Sequence, residues 1–291
     1  MKLRELLTTT IAALLAACSA GQAPPVQPPV AAQPVVVRPN VVRPPLPSVN
    51  APSIQAESAV VIDTITGRIL YQKSSRTPRA VASTQKLLTA LCVVKAGPLS
   101  DPVTVQATDT AVEPSKLYIK AGEVYTRRTL VKALLVRSGN DVAKALARDV
   151  SGTEAAFINL MNNTAKSIGM TQSHFKNPHG LTEEGQFSTA LDLAILAREV
   201  TKTPYFRECM KTKAYVFQYP DGRTRTLTNT NKILSRLTYC TGMKTGTTRA
   251  SGRCLVCSGV LNGKAVIAVA LSSSSAEIWN DSEKLLKWAL E

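Results

Sequence analysis

The sequence predicts an α+β fold: one five-stranded antiparallel sheet flanked by helices, with an all-helical subdomain inserted between its strands. Three observations lead there. Strand-like runs are confined to the two ends of residues 57–291, while helical periodicity fills the middle. Turn pairs join the end runs into hairpins, which makes the neighbours antiparallel. Strands contributed by both termini close into one sheet only if the middle is an insertion, placed at about 96–235.

The first fifth of the chain lies outside this fold. Residues 1–17 have the layout of an export signal, with Lys2 and Arg4 ahead of the apolar run LLTTTIAALLAA. That run is too short to span a bilayer, which takes roughly 20 residues as a helix. Leu15-Ala16-Ala17-Cys18 resembles the lipobox of bacterial lipoproteins, so Cys18 is expected to be lipidated and to hold the protein at a membrane leaflet. Residues 18–55 then form a tether. Ten of the chain's seventeen prolines fall between 23 and 52, and thirty such residues in polyproline II reach up to ~90 Å.

Residues 56–291 make the folded domain, long enough for one core carrying an insertion. SAVVIDTITGRILYQ reads as two strands turning around Thr66-Gly67. Helical patterns follow at 82–95, 126–138, 140–150, 152–169 and 188–200. YCTGMKTGTT, RCLVCSGVL and KAVIAVALS read as three further strands, the last two joined by Asn262-Gly263, a type I′ turn pair. SEKLLKWALE closes the chain as a helix, with Asp281 or Ser282 as its cap.

The formal charge is +15, yet no run of five basic residues occurs and the arginines are not interleaved with aromatics. This argues against nucleic acid as a partner and suits an anionic envelope polymer. Five cysteines remain besides Cys18, an odd number that leaves one unpaired in an oxidising compartment. Cys209 with Cys240 is the disulfide candidate. Cys254 and Cys257, three apart on a strand, face opposite sides and read as core. His174 and His179 have no accompanying ligand set, so no metal is expected.

One segment is chemically awkward. VASTQKLLTAL (81–91) has the pattern of a buried helix, yet Lys86 follows Ser83 at i+3 on the same face. A serine hydroxyl becomes a useful nucleophile when a neighbouring base takes its proton, and a lysine serves as that base once burial lowers its pKa. The same spacing recurs at Ser173 and Lys176, so the pair alone decides little. Two further motifs give it weight. Ser138-Gly139-Asn140 ends a predicted helix, and Lys244-Thr245-Gly246-Thr247 opens a predicted strand.

In this order and at these spacings, Ser-x-x-Lys, Ser-x-Asn and Lys-Thr-Gly resemble the motifs of the penicillin-binding proteins and serine β-lactamases, which implies a β-lactamase/transpeptidase-like fold. HGLTEEGQFSTALDLAILA (179–197), TNTNKIL (228–234) and KLLKWAL (284–290) are similar to the low-molecular-mass D-alanyl-D-alanine carboxypeptidases and endopeptidases of peptidase family S11. The resemblance implies that Ser83 attacks the carbonyl between two D-alanines while neutral Lys86 takes its proton. It implies that Ser138 and Lys244 protonate the leaving amine, and that Asn140 holds the substrate and orients Lys86. The backbone N–H groups of Ser83 and Thr247 would form the oxyanion hole. Thr245 and Thr247 would bind the terminal carboxylate, and Gly246 would leave the approach clear. No cofactor is implied. Peptidoglycan stem peptides would be the substrates, β-lactams acylating inhibitors, and the periplasmic face of the inner or outer membrane the location.

The match departs from the family in places. Many of these carboxypeptidases carry an arginine before the closing helix that grips the substrate's carboxylate; SSSSAEIWNDSEK has none, and Arg249 and Arg253 are the replacements on offer. Residues 250–256 and the ending at KLLKWALE, without a second β-domain or C-terminal membrane helix, resemble the endopeptidase branch, whereas Ser-Gly-Asn matches the carboxypeptidase branch better. A β-lactamase is disfavoured because Glu-x-x-Leu-Asn is missing. A non-catalytic peptidoglycan-binding lipoprotein is disfavoured because all three motifs are intact.

Overall fold

Successive residues of a strand point to opposite faces, and in this protein both faces of the main sheet are apolar. The computed structural model describes residues 50–291. The expected signal peptide, Cys18 and nearly all of the tether lie outside the described residues. The first hairpin pairs β1 (Ser58–Asp63) with β2 (Ile69–Lys73). Its turn is fixed by Asp63, whose carboxylate accepts the N–H and hydroxyl of Thr66, and by Gly67 at φ 74°. A 3₁₀ turn (Ala82–Gln85) runs into α1 (Lys86–Ala96).

The insertion follows: β3 (Pro102–Thr104), α2 (Ala107–Thr110), β4 (Val124–Thr126), α3 (Arg127–Arg137), α4 (Asn140–Ser151), α5 (Glu154–Ser167), α6 (Ala190–Thr201), α7 (Pro204–Lys211), β5 (Ala214–Gln218), β6 (Thr224–Thr228) and α8 (Ile233–Arg236). The chain returns to the sheet as β7 (Cys240–Thr248), β8 (Gly252–Leu261) and β9 (Lys264–Ser273), then ends in α9 (Glu277–Leu290). The sheet order is β2-β1-β9-β8-β7, every pairing antiparallel, as predicted from the two ends of the sequence. Asn262 and Gly263 both take positive φ, 48° and 77°, as a type I′ turn requires.

Val60, Ile62, Val256, Ile267, Val269 and Leu271 face a core shared with α1 and α3–α6. Their neighbours Ala59, Val61, Leu255, Val266, Ala268 and Ala270 face a second core under α9. Cys254 joins the first core and Cys257 the second, as the three-residue spacing predicted. Because β7 is at one end of the sheet, one of its edges is left open.

Three expectations need correction. The insertion is not all helical: β3 pairs with β4, and β5 with β6. The first pair is too short for alternation to register; the second turns around Asp221-Gly222, with Gly222 at φ 86°, a turn signal present in the sequence. Cys209 and Cys240 are not bonded to each other; both are buried free thiols. The last helix begins at Glu277, whose N–H bonds to Ser274 Oγ, so neither Asp281 nor Ser282 caps it. Asp281 is instead wholly buried and accepts the backbone N–H groups of Gln55 and Ala56 and the Ser273 hydroxyl.

Candidate active site

The 3₁₀ turn holds Ser83 at the mouth of α1, and Lys86 is the first residue of that helix. One turn of rise brings Lys86 Nζ to 2.7 Å from Ser83 Oγ. The amine also lies 2.7 Å from Asn140 Oδ1 and 2.6 Å from the His179 carbonyl oxygen. Asn140 Nδ2 donates to the Pro114 carbonyl at 2.5 Å, which leaves Oδ1 facing the lysine. A neutral amine has two N–H donors and one lone pair. With the donors spent on Asn140 and His179, the lone pair is directed at the Ser83 hydroxyl, which then donates to Nζ.

Lys86 is wholly buried. Its pKa is held well below the usual lysine range, first by burial and then by the charge of Lys244, with Asp141 acting weakly the other way. Lys244 is equally buried, and burial pushes its pKa down to about 7. Its ammonium donates to the Thr245 carbonyl at 3.0 Å rather than to Ser138. Ser138 ends α3 in the left-handed conformation, φ 72°, and its carbonyl accepts from Ser115 Oγ. The three motifs therefore converge, but only Ser83, Lys86 and Asn140 are joined by direct hydrogen bonds.

Gly246 is required by packing. A Cβ there would lie 2.9 Å from both Ser83 N and Val81 O, closer than side-chain carbons approach backbone. The close contact brings β7 against the turn bearing Ser83, whose own N–H is bonded to no acceptor among the described residues. Thr245 Oγ1 meets Thr230 Oγ1 at 2.6 Å. Thr247 is exposed and pairs across the ladder with Arg253. Arg249 is exposed in the turn between β7 and β8.

The loop that closes the site from the other side is His179-Gly180-Leu181, part of the stretch that carries the family resemblance and that this resemblance places at the rim of the site. His179 contributes its backbone carbonyl, whose oxygen lies 3.3 Å from Ser83 Oγ. Its imidazole stays neutral, since burial and then the charges of Lys86 and Lys144 bring its pKa to about 3. Gly180, at φ 86°, comes so close that a Cβ would lie 2.2 Å from Ala82 O. Asn177 Oδ1 accepts the N–H groups of His179 and Gly180, and Gln85 Nε2 donates to the Asn177 carbonyl. Asn-Pro-His-Gly is a turn-forming run, and its place at the rim was legible from the resemblance; that its backbone carbonyl would reach Lys86 was not.

The second Ser-x-x-Lys is structural. Ser173 donates to Asp192, and the stretch to Lys176 is not helical.

A family model described as D-alanyl-D-alanine carboxypeptidase matches residues 46–275. The chain is 34% identical over 224 residues to the D-alanyl-D-alanine carboxypeptidase DacF of Bacillus subtilis, covering 75% of this chain and 58% of that protein. It is 34% identical over 244 residues to DacC of Escherichia coli, covering 79% and 60%. The chain thus spans about three-fifths of the length of these two relatives. The crystal structure of the Streptomyces K15 DD-transpeptidase superposes with a TM-score of 0.79 at 31% identity, over 83% of this chain and 99% of that one.

Proposed function

We propose, from the premise that the chain belongs to the D-alanyl-D-alanine carboxypeptidase family, that it removes the terminal D-alanine from peptidoglycan stem peptides through an acyl-enzyme on Ser83. The observation that carries this reading is the 2.7 Å approach of a wholly buried lysine to Ser83 Oγ, with both other contacts of the amine being carbonyl acceptors.

The substrate lies along the open edge of β7 with its scissile carbonyl over Ser83. The hydroxyl proton passes to Lys86 as the Oγ–C bond forms. The oxyanion is held by the N–H groups of Ser83 and Thr247, a type of contact worth about 3–4 kcal/mol in other enzymes. Breaking the C–N bond releases the amine, whose proton is delivered through Ser138 from the side where Lys244 sits. The proton held by Lys86 then passes to Lys244 to replace the one given to the amine, and the neutral Lys86 deprotonates a water that hydrolyses the ester. The free carboxylate is held by Thr245 and Thr247 together with Arg253, which stands opposite Thr247 in the ladder and is fixed by its bond to Ser275 Oγ at 3.0 Å. The same nucleophile opens a β-lactam. Export to the envelope and lipidation of Cys18 complete the proposal.

A fluorescent penicillin should label the wild-type protein on the peptide containing Ser83, and a pentapeptide ending in D-Ala-D-Ala should release D-alanine. If neither adduct nor D-alanine forms, the reading fails. Rapid release of the penicillin would favour a β-lactamase instead.

A further inference from the structure

An open groove of about 550 Å³ lies between β4 and β5 against the start of α3. Residues 124–126 of β4 form one wall, residues 215–220 the other, and α3 contributes Arg128, Thr129 and Lys132. None of Ser83, Lys86, Ser138, Asn140 and Lys244 lines it. Neighbouring residues of a strand point to opposite faces, so a wall made of every residue in turn is the edge of a strand and not its face. The two walls meet through the buried rings of Tyr125 and Phe217, 5.5 Å between centroids.

Both edges carry unused hydrogen-bonding groups. In an antiparallel ladder alternate residues bond to the partner strand, and those between them point away from it. Asn229 N–H donates to the Lys213 carbonyl and Tyr219 N–H to that of Arg223, at either end of the β5–β6 ladder, so the alternation turns the N–H and C=O of Val216 and Gln218 away from β6. No backbone partner meets them among the described residues. The bonds of Arg127 to Asp101 and of Val105 to Glu123 frame β3 and β4 in the same way and turn Val124 outward. Val124 and Val216 are 49% and 58% exposed, and both border the groove. Open edges flanked by exposed valines are the surface to which an extended peptide adds as a further strand.

The charge of the groove says which peptide. Arg128 and Lys132 stand four residues apart on α3, so they share one face with Cβ atoms about 5–6 Å apart. Arg128 lies over the Tyr205 ring and has no carboxylate partner among the described residues; Lys132 lies over the Tyr215 ring and reaches Glu208 only at 3.8 Å. No acidic residue lines the groove. Alternate residues of an extended strand are about 6.6–6.8 Å apart, close to the spacing of the two cations. We infer that the groove is a docking surface for an extended acidic segment of a partner protein, which pairs along the edge of β5. Two carboxylates at i and i+2 meet Arg128 and Lys132, and the apolar side chains that alternate with them lie beside Val124 and Val216. A sugar chain lacks the row of N–H and C=O groups that such an edge pairs with.

Fluorescence polarisation with the full-length protein and a labelled Ser-Val-Glu-Val-Glu-Val-Ser peptide tests this. Binding should saturate, and should weaken about tenfold or more when both glutamates of the peptide are replaced by glutamine. The double variant Arg128→Ala/Lys132→Ala, shown folded by its melting curve, should weaken it to a similar degree. Val216→Pro removes the outward N–H at a position where an edge strand tolerates proline, and should abolish binding. A peptide N-methylated at its three central residues should fail to bind the wild-type protein, a result that needs no variant to fold. Absence of saturable binding overturns the inference, as does equal binding of the glutamine or the N-methylated peptide. So does a groove that binds peptide-free glycan chains, and loses them in the alanine variant, while leaving the acidic peptide free.

Discussion

Lys86 and Lys244 are wholly buried, and each is pushed toward its neutral form. Beyond the Thr230–Thr245 contact, Lys213, Lys232 and Arg137 stand exposed along an open groove, with no carboxylate partner among the described residues. The same residue types thus sit in opposite surroundings. A base must have a lone pair, which burial provides by making the ammonium costly. Packing differs accordingly: the acylating centre is fixed by reciprocal hydrogen bonds from three segments, while the groove is an open wall of long side chains.

The largest effect should come from Lys86→Ala. Loss of the base is expected to lower acylation by fluorescent penicillin by about 10³-fold or more, with a melting temperature near that of the wild type, because a costly buried amine is lost along with its bonds. Undiminished labelling would remove the lysine from the chemistry and erase the contrast. Next is Gly246→Ala. The added carbon meets backbone atoms of Val81 and Ser83 at 2.9 Å, and displacement of the nucleophile by about 1 Å predicts a loss of about 10²-fold in acylation, accompanied by a lower melting temperature. Normal activity in this variant would mean that the turn has room to yield.

Arg253→Ala sharpens the comparison from the groove side. Cleavage of a substrate with a free terminal carboxylate should fall about tenfold to a hundredfold, while an amidated analogue, already a poor substrate, should lose little further. Equal losses on both would assign Arg253 a purely structural part.

The smallest effect concerns pH. Burial pushes the Lys244 pKa from the usual lysine value of 10.5 down to about 7, so between these values the unfolded chain binds the extra proton. Its contribution to stability therefore rises as pH increases from about 7 to about 10.5 and is lost as pH falls through that window. Lys244→Met should flatten this part of the profile measured by denaturant unfolding. The same variant removes a positive charge that helps to depress Lys86, so the acid limb of its residual acylation should move to higher pH. An acid limb that stayed put would show that burial alone sets the lysine.

Much of this was legible in advance because it is local. The Ser83–Lys86 pair follows from i+3 spacing on one helical face, the Asn262-Gly263 hairpin from turn chemistry, and the opposed Cys254 and Cys257 from strand alternation. Asp281 was misread for the opposite reason. A carboxylate near a helical run resembles a cap, but its partners, Gln55 and Ala56, lie more than two hundred residues away. The Cys209–Cys240 candidate likewise came from counting thiols, which carries no information on where their side chains point.

The sequence by itself determined the sheet, its two apolar faces, the order of the three motifs and the family to which the chain belongs. These are written in periodicities and spacings that act within a few residues. Only the tertiary structure decided that the His179 carbonyl completes the shell around Lys86, that Gly180 and Gly246 clamp one turn from both sides, and that cations from four distant segments line one groove. Each of these depends on which segments meet. That is set by the packing of whole layers, and nothing in the local pattern of any one segment records it.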